Sequence, residues 1–84
     1  MLTLEIHDPT GFLDLTLEDI PESTTAAEVC GRVLDEWSLS REVDWRFREK
    51  RTNTLLMPEQ QLGECVHGAS RRLDLTILPH AHVD

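Results

Sequence analysis

The fold is decided by the stretch LDLTLEDIPESTTAAEVCGRVLDEW, residues 13–37. In its first half, leucines at positions 13, 15 and 17 alternate with polar residues, which is the pattern of a half-buried strand. In its second half, Thr25 and Glu28 have the spacing of a capping box, which marks the beginning of a helix. The stretch therefore predicts a strand that is followed directly by a helix.

The predicted helix carries one apolar stripe. Its members recur at spacings of three and four residues: Ala26, Val29, Cys30, Val33, Leu34 and Trp37. Gly31 interrupts the helix, where glycine is less stable than alanine by about 1 kcal/mol, and we expect close packing against a sheet to explain it. Because one stripe needs one apolar surface to cover it, the helix should pack on a single sheet face.

Four further segments predict strands or turns around this unit. Alternating or short apolar runs occur at Leu2–Ile6, Val43–Phe47, Thr54–Leu56 and Leu73–Ile77, and a tight turn is expected at Asp8–Gly11. The order is strand, strand, helix, strand, short strand, strand. It predicts an α+β β-grasp domain in which a mixed sheet of four or five strands packs on one helix.

The length of 84 residues leaves room for one core. We expect this domain to cover residues 1–77 and a flexible C-terminal tail to cover residues 78–84. The tail consists of Leu78, Pro79, His80, Ala81, His82, Val83 and Asp84.

Charge excludes several kinds of partner. The chain has 16 acidic and 8 basic residues, a net charge of −8, and residues 1–40 hold nine of the acids and one base. Nucleic acid and anionic membrane surfaces attract a basic excess, so neither is expected as a partner. No apolar run is long enough to span a bilayer, and no signal peptide is recognisable. We therefore expect a cytoplasmic protein in which Cys30 and Cys65 are reduced and structural.

Several segments are similar to those of ubiquitin. The run at residues 13–18 resembles ubiquitin's second strand, Ile-Thr-Leu-Glu-Val-Glu, and Trp45-Arg46-Phe47 lies where ubiquitin has Leu-Ile-Phe. Leu62-Gly63-Glu64-Cys65 and Leu73-Asp74-Leu75 are similar to its Leu-Ser-Asp-Tyr and Leu-His-Leu. Over nearly its whole length the chain resembles the ubiquitin-like superfamily. It is most similar to bacterial proteins of the YukD/EsaB type, which carry a tryptophan in the third strand and a Leu-Ser-Asp-Cys segment.

The resemblance implies three functions. Sulfur carriers and many modifiers end in Gly-Gly, whereas Ala81 and His82 occupy the aligned positions here, so a sulfur carrier is not expected. Bacterial ubiquitin-like conjugation operons include modifiers with other ends. We expect such a modifier, whose tail is presented to an activating enzyme for conjugation, either directly or after trimming by a peptidase. The alternative for the tail is a frayed terminus. A noncovalent accessory subunit of a YukD/EsaB-type secretion system and a small subunit of a multicomponent monooxygenase also remain open.

The resemblance also directs attention to the outer sheet face, through which ubiquitin is recognised. The residues expected there are polar or charged: Asp44, Arg46, Arg48, Asp74 and Thr76. They form either a partner-specific docking face or a solvated surface whose opposite charges pair across strands. Lys50 is the chain's one lysine and its possible acceptor for self-conjugation. The expected partners are proteins: activating and conjugating enzyme homologues, a processing peptidase or secretion-system components.

Catalytic and metal-binding motifs are not recognisable in the sequence. His80 and His82 could supply two imidazoles, but structural zinc takes four ligands, so we expect no metal there. The chain has neither a nucleophile elbow nor a phosphate-binding glycine loop. A domain of this size also has little volume for a pocket of about 300 Å³. We expect a protein that is not an enzyme and has no cofactor.

Overall fold

The computed structural model describes residues 1–66 and 71–80. Five strands and one α-helix make up this part of the chain: β1 (Leu2–His7), β2 (Asp14–Ile20), α1 (Ala26–Trp37), β3 (Trp45–Glu49), β4 (Thr54–Leu55) and β5 (Arg72–Pro79). A short 3-10 helix covers Leu62–Cys65. The strand order is β2-β1-β5-β3-β4, with β1 and β5 parallel and the other pairs antiparallel. The predicted mixed sheet on one helix is confirmed.

The hairpin between β1 and β2 is closed by the expected turn. The backbone N–H of Gly11 donates to the carbonyl of Asp8 at 3.1 Å, and Gly11 has a positive φ of 79°. The Asp8 carboxylate accepts a hydrogen bond from the N–H of Leu13 at 2.8 Å and another from the Thr10 hydroxyl. These hydrogen bonds lower the pKa of Asp8. Leu13, expected to begin the strand, lies outside it and is exposed because the turn still holds its backbone.

A bulge shifts the register at the far end of β2. Leu4 pairs with Leu17 but Leu2 pairs with Ile20, so β2 has one more residue than β1 between these two pairs. Asp19 takes the left-handed conformation, with φ 57°. The extra residue points Ile20 into the core, where it is 3% exposed.

Helix α1 begins at the predicted capping box. The Thr25 hydroxyl accepts from the N–H of Glu28, and the Glu28 carboxylate accepts from the N–H of Thr25. The helix ends before Ser38, whose left-handed conformation stops it. Our explanation for Gly31 is wrong: a Cβ built there would meet nothing within 4 Å, so no close contact requires a glycine. The 12-residue helix is too short and too polar to cross a membrane, and no other described helix could do so.

The loop before the 3-10 helix binds the N-terminus of α1. The carbonyls of Pro58 and Gln60 accept hydrogen bonds from the N–H groups of Ala27 and Ala26 at 2.9 and 3.0 Å. First-turn N–H groups have no partner within a helix, so the loop supplies one for each of these two. This contact fixes the loop, and with it Leu56 and Leu62, against the core.

The core lies between α1 and one face of the sheet. Its largest fully buried side chains are Phe47, Leu2, Leu4, Ile6, Leu62, Leu75, Ile77, Val29 and Val33. Strands β1 and β5 alternate core and outer residues along their length, as the sequence predicts. Two features of β3 differ from the expected pattern. The strand begins at Trp45, which leaves Val43 outside it and exposed, and it ends at Glu49, whose buried carboxylate accepts a hydrogen bond from the Thr52 hydroxyl.

Strand β5 continues two residues beyond Ile77, the expected end of the domain. Leu78 pairs with Arg46 and Pro79 with Trp45, and the N–H of His80 donates to the carbonyl of Asp44 at 2.7 Å. In this register the nitrogen of Pro79 faces away from β3, and the pairing with β1 has already ended at Thr76. Proline is therefore tolerated here because no ladder hydrogen bond needs its missing N–H.

Candidate functional site

Of the predicted docking residues, Arg48, Asp74 and Thr76 lie on the sheet face opposite the helix, whereas Asp44 and Arg46 also line the space between α1 and β3. Arg48 and Thr76 are direct partners in the antiparallel pairing of β3 and β5, and the next pair along, Phe47 and Ile77, faces the core. The Arg46 guanidinium binds both oxygens of Asp44, with Nε to Oδ1 at 3.1 Å and Nη2 to Oδ2 at 2.9 Å. This pairing raises the pKa of Arg46. The face is therefore charged, and its opposite charges are partly paired within the chain.

The same face carries a cluster of metal-ligating groups on β1 and β5. Glu5 is the direct partner of Asp74 in the parallel pair, and His7 lies two residues along β1 on the same face. One ligand atom from each of the three lies within 4.8 Å of the others. It is the only such group among residues 1–66 and 71–80.

A groove lies on the other side of the sheet, between α1 and β3. It encloses about 260 Å³. Ala27, Cys30 and Gly31 line it from the helix, and Trp45 and Phe47 line it from the strand. Most of this lining is apolar, and no Cβ projects from the helix at position 31.

The edge of β3 is unpaired beside this groove. Strand β4 pairs only with Arg48 and Glu49. Beyond it, the N–H of Leu56 donates a hydrogen bond to the carbonyl of Phe47 at 2.9 Å. Among the described residues, Trp45 has no strand neighbour on the side away from β5. Its carbonyl instead accepts a weak hydrogen bond from the Cys30 thiol at 3.6 Å. An unpaired strand edge is a template for a further strand.

The two thiols are free and unactivated. Cys30 is half-buried and Cys65 is buried. Burial raises the pKa of both, and the negative charges of Asp44 near Cys30 and Glu49 near Cys65 raise them further. A reactive cysteine requires the opposite shift, so the groove thiol provides an apolar surface rather than a nucleophile.

Comparison with known proteins identifies the architecture. No family model and no curated protein matches the sequence. A solved structure described as "Molecular Mimicry of SUMO promotes DNA repair" matches with a TM-score of 0.68 and 19% identity, covering 92% of this chain and 89% of that one. The chain has a ubiquitin-like β-grasp fold. Because 199 solved chains match significantly, the fold alone does not assign a function.

Only some of the residues predicted to take part in conjugation belong to the described part of the fold. Leu78 and Pro79 belong to β5, and His80 is bound to Asp44 at its end. Ala81, His82, Val83 and Asp84 lie outside the described residues, as does the second imidazole of the His80-x-His82 pair. Lys50 is exposed, and its N–H donates to the carbonyl of Asp74 at 2.9 Å.

Sequence reasoning missed the groove and the cluster on β1. The alternation of Leu4 and Ile6 already places Glu5 and His7 on the outer face, and the parallel pairing of the first and last strands in this fold brings Asp74 beside them. That signal was available. The groove had no such signal, because a glycine in the middle of a helix is equally compatible with close packing and with an open surface.

Proposed function

We propose that this chain is a ubiquitin-like protein-binding module, without catalytic activity, that takes an extended apolar peptide segment of a partner protein into the groove between α1 and β3. The observation that carries this proposal is Gly31. A mid-helix glycine lowers helix stability by about 1 kcal/mol, and neither its φ nor a neighbouring atom requires one at this position. Its effect in the fold is to leave the helix wall of the groove bare.

The strand edge supports an extended occupant. A peptide laid along β3 would find the edge of Trp45, which has no strand neighbour there, on one side and the bare helix at Gly31 on the other. In strand addition, main-chain hydrogen bonds supply affinity and a neighbouring pocket accepts alternate side chains. The thiol of Cys30 would give up only a weak hydrogen bond to the Trp45 carbonyl.

The outer sheet face is less suited to an apolar peptide than the groove is. It presents Arg46, Arg48 and Asp74 where ubiquitin presents an apolar patch, and Arg46 is already paired with Asp44. An apolar ligand would have to strip water from these charges, which is unfavourable unless each is paired again. Most of the groove's lining is apolar and its charged members, Arg41, Asp44 and Arg46, are the minority, so an apolar ligand would displace less water from charged groups there.

The test uses peptides selected from a displayed library of random sequences against the full chain. Gly31→Leu fills the groove from the helix, whereas Arg32→Leu adds the same side chain one residue further on, at an exposed position that does not line the groove. Selected peptides should bind the wild type and Arg32→Leu equally and should lose at least about tenfold in affinity for Gly31→Leu, a change of about 1.4 kcal/mol. Urea midpoints check that both variants are folded.

Backbone amide NMR signals then locate the bound peptide. The proposal expects shifts at Ala27, Gly31 and Trp45. Equal binding to Gly31→Leu, or shifts confined to outer-face residues such as Arg48 and Thr76, would contradict it.

Within this class we propose the finer role of a bacterial protein modifier. The segment that enters an activating enzyme would have to begin at position 81, because Leu78 and Pro79 are paired with β3 and His80 is bound to Asp44. Intact mass spectrometry after incubation with ATP and an activating-enzyme homologue of the same organism tests this role. An adduct whose fragments place the new bond C-terminal to His80 supports it, and an unchanged mass favours the noncovalent accessory subunit.

A further inference from the structure

The outer sheet face carries a group of possible metal ligands that do not line the groove. We propose that Glu5, His7 and Asp74 bind a divalent transition-metal ion, with Zn²⁺ as its representative. Two neighbouring strands hold the three side chains: the parallel register puts Glu5 opposite Asp74, and His7 follows two residues later on the same face. The site is therefore built on rigid elements of the fold.

The distances suit one shared ion. The three ligand atoms lie within 4.8 Å of one another. Zinc bonds to nitrogen and oxygen are about 2.1 Å long, so two donors on one tetrahedral ion lie about 3.4 Å apart. Small rotations of the side chains would close this difference without movement of the strands.

A second, independent observation is an unsatisfied oxygen. Oδ1 of Asp74 is shielded from solvent and has no hydrogen-bond partner in the described part of the chain. Buried polar atoms nearly always have a partner, and a carboxylate oxygen without one is unfavourable. An ion in the cluster would provide the missing partner.

The other two ligands are held in place by neighbouring side chains. Nδ1 of His7 lies 2.5 Å from Oδ1 of Asp14, so it is Nε2 that remains for a metal. Metal-binding histidines commonly donate their second ring N–H to a carboxylate in this way. Nη2 of Arg72 contacts one oxygen of Glu5 at 2.5 Å and leaves the other oxygen for the ion.

The donor set defines the class of ion. One imidazole and two carboxylates suit Zn²⁺ and Mn²⁺, and the two carboxylate charges balance a divalent ion. Soft ions such as Cu⁺ prefer sulfur donors, and the cluster contains no cysteine. Three protein ligands leave the fourth position of Zn²⁺ to water or to a group from a partner.

Calorimetric titration of the full chain with Zn²⁺ tests the site. We expect one site in the wild type and at least about tenfold weaker binding in His7→Gln and in Asp74→Asn. Asp14→Ala, which removes the side-chain oxygen that contacts Nδ1 of His7, should also weaken binding by about tenfold or more. The matched control replaces the other histidine pair, His80→Gln with His82→Gln, and should bind as the wild type does.

Spectroscopy keeps the outcome independent of variant stability. Paramagnetic Mn²⁺ added to the wild type should broaden the amide signals of Glu5, His7 and Asp74 first. Co²⁺ should give visible bands without the near-ultraviolet charge transfer of a thiolate ligand. Loss of Zn²⁺ binding in the His80 and His82 control, thiolate bands with Co²⁺, or undiminished binding to His7→Gln would each overturn the proposal.

Discussion

The exchange of Gly31 for alanine should stabilise the protein. Gly31 lies inside α1, its φ is not in the left-handed region, and the added methyl group would meet no atom within 4 Å. Alanine reduces the conformational freedom of the unfolded chain and favours the helix, which together give about 0.5–1 kcal/mol. For a domain of this size, 1 kcal/mol corresponds to about 4–8 °C in Tm.

The matched control is Gly63→Ala in the 3-10 helix. A Cβ there would lie 2.8 Å from Cβ of Glu22 and 2.9 Å from its carbonyl oxygen, closer than such atoms can approach. The N–H of Gly63 also donates to that carbonyl at 2.9 Å, so movement of the loop would weaken this hydrogen bond. Overpacking of this kind destabilises by about 1–3 kcal/mol.

Urea denaturation followed by tryptophan fluorescence measures both variants. With a slope of about 1 kcal/mol/M, Gly31→Ala should raise the midpoint by about 0.5–1 M, and Gly63→Ala should lower it by at least about 1 M. The slopes should not change. A lower midpoint for Gly31→Ala would refute the reasoning, because it would mean that the helix wall of the groove is filled and that Gly31 is needed for packing.

Three further predictions concern the helix start, the hairpin turn and the thiols. Thr25→Ala should lose about 1 kcal/mol in urea denaturation because the N–H of Glu28 loses its acceptor, whereas Thr25→Ser should retain stability. The folded-state pKa of Asp8 is lowered, so its ionised carboxylate stabilises the fold above aspartate's ordinary pKa, and this stabilisation is lost as the pH falls. Asp8→Asn should therefore flatten the plot of urea midpoint against pH below about pH 4. Because burial raises the pKa of both cysteines, disulfide reagents should modify the folded protein slowly, with half-buried Cys30 ahead of buried Cys65 in a mass-resolved time course.

The elements that the sequence predicts best are those with short-range causes. The alternation in β1, β2 and β5 needs only the period of a strand, and the capping box at Thr25 and Glu28 needs only three residues of spacing. The helix stripe also holds: Ala26, Val29 and Val33 are buried. These patterns suffice for the α+β class and for the order of strands and helix along the chain.

Features that depend on distant parts of the chain are not predictable in this way. The bulge that turns Ile20 into the core reflects the register with β1, and the extension of β5 to Pro79 reflects an available partner in Trp45. Glu49 reads as part of a polar turn, yet the β3 register makes it face the core. For the candidate sites, position on a face was predictable for Glu5 and His7, but their closeness to Asp74 needed the parallel pairing of the chain's first and last strands.

The strand alternation explains why the two candidate surfaces lie on opposite sides of the sheet. Phe47 and Leu75 must face the helix to build the core, so their neighbours Arg48 and Asp74 must face outwards. A face fixed in this way is charged and suits an ion better than an apolar peptide. Core apolar surface becomes accessible where its cover is incomplete, and along the groove α1 leaves it incomplete where Gly31 has no side chain. The same core packing therefore directs the ion to the outer face and the peptide to the groove, and the two proposed sites share no residue.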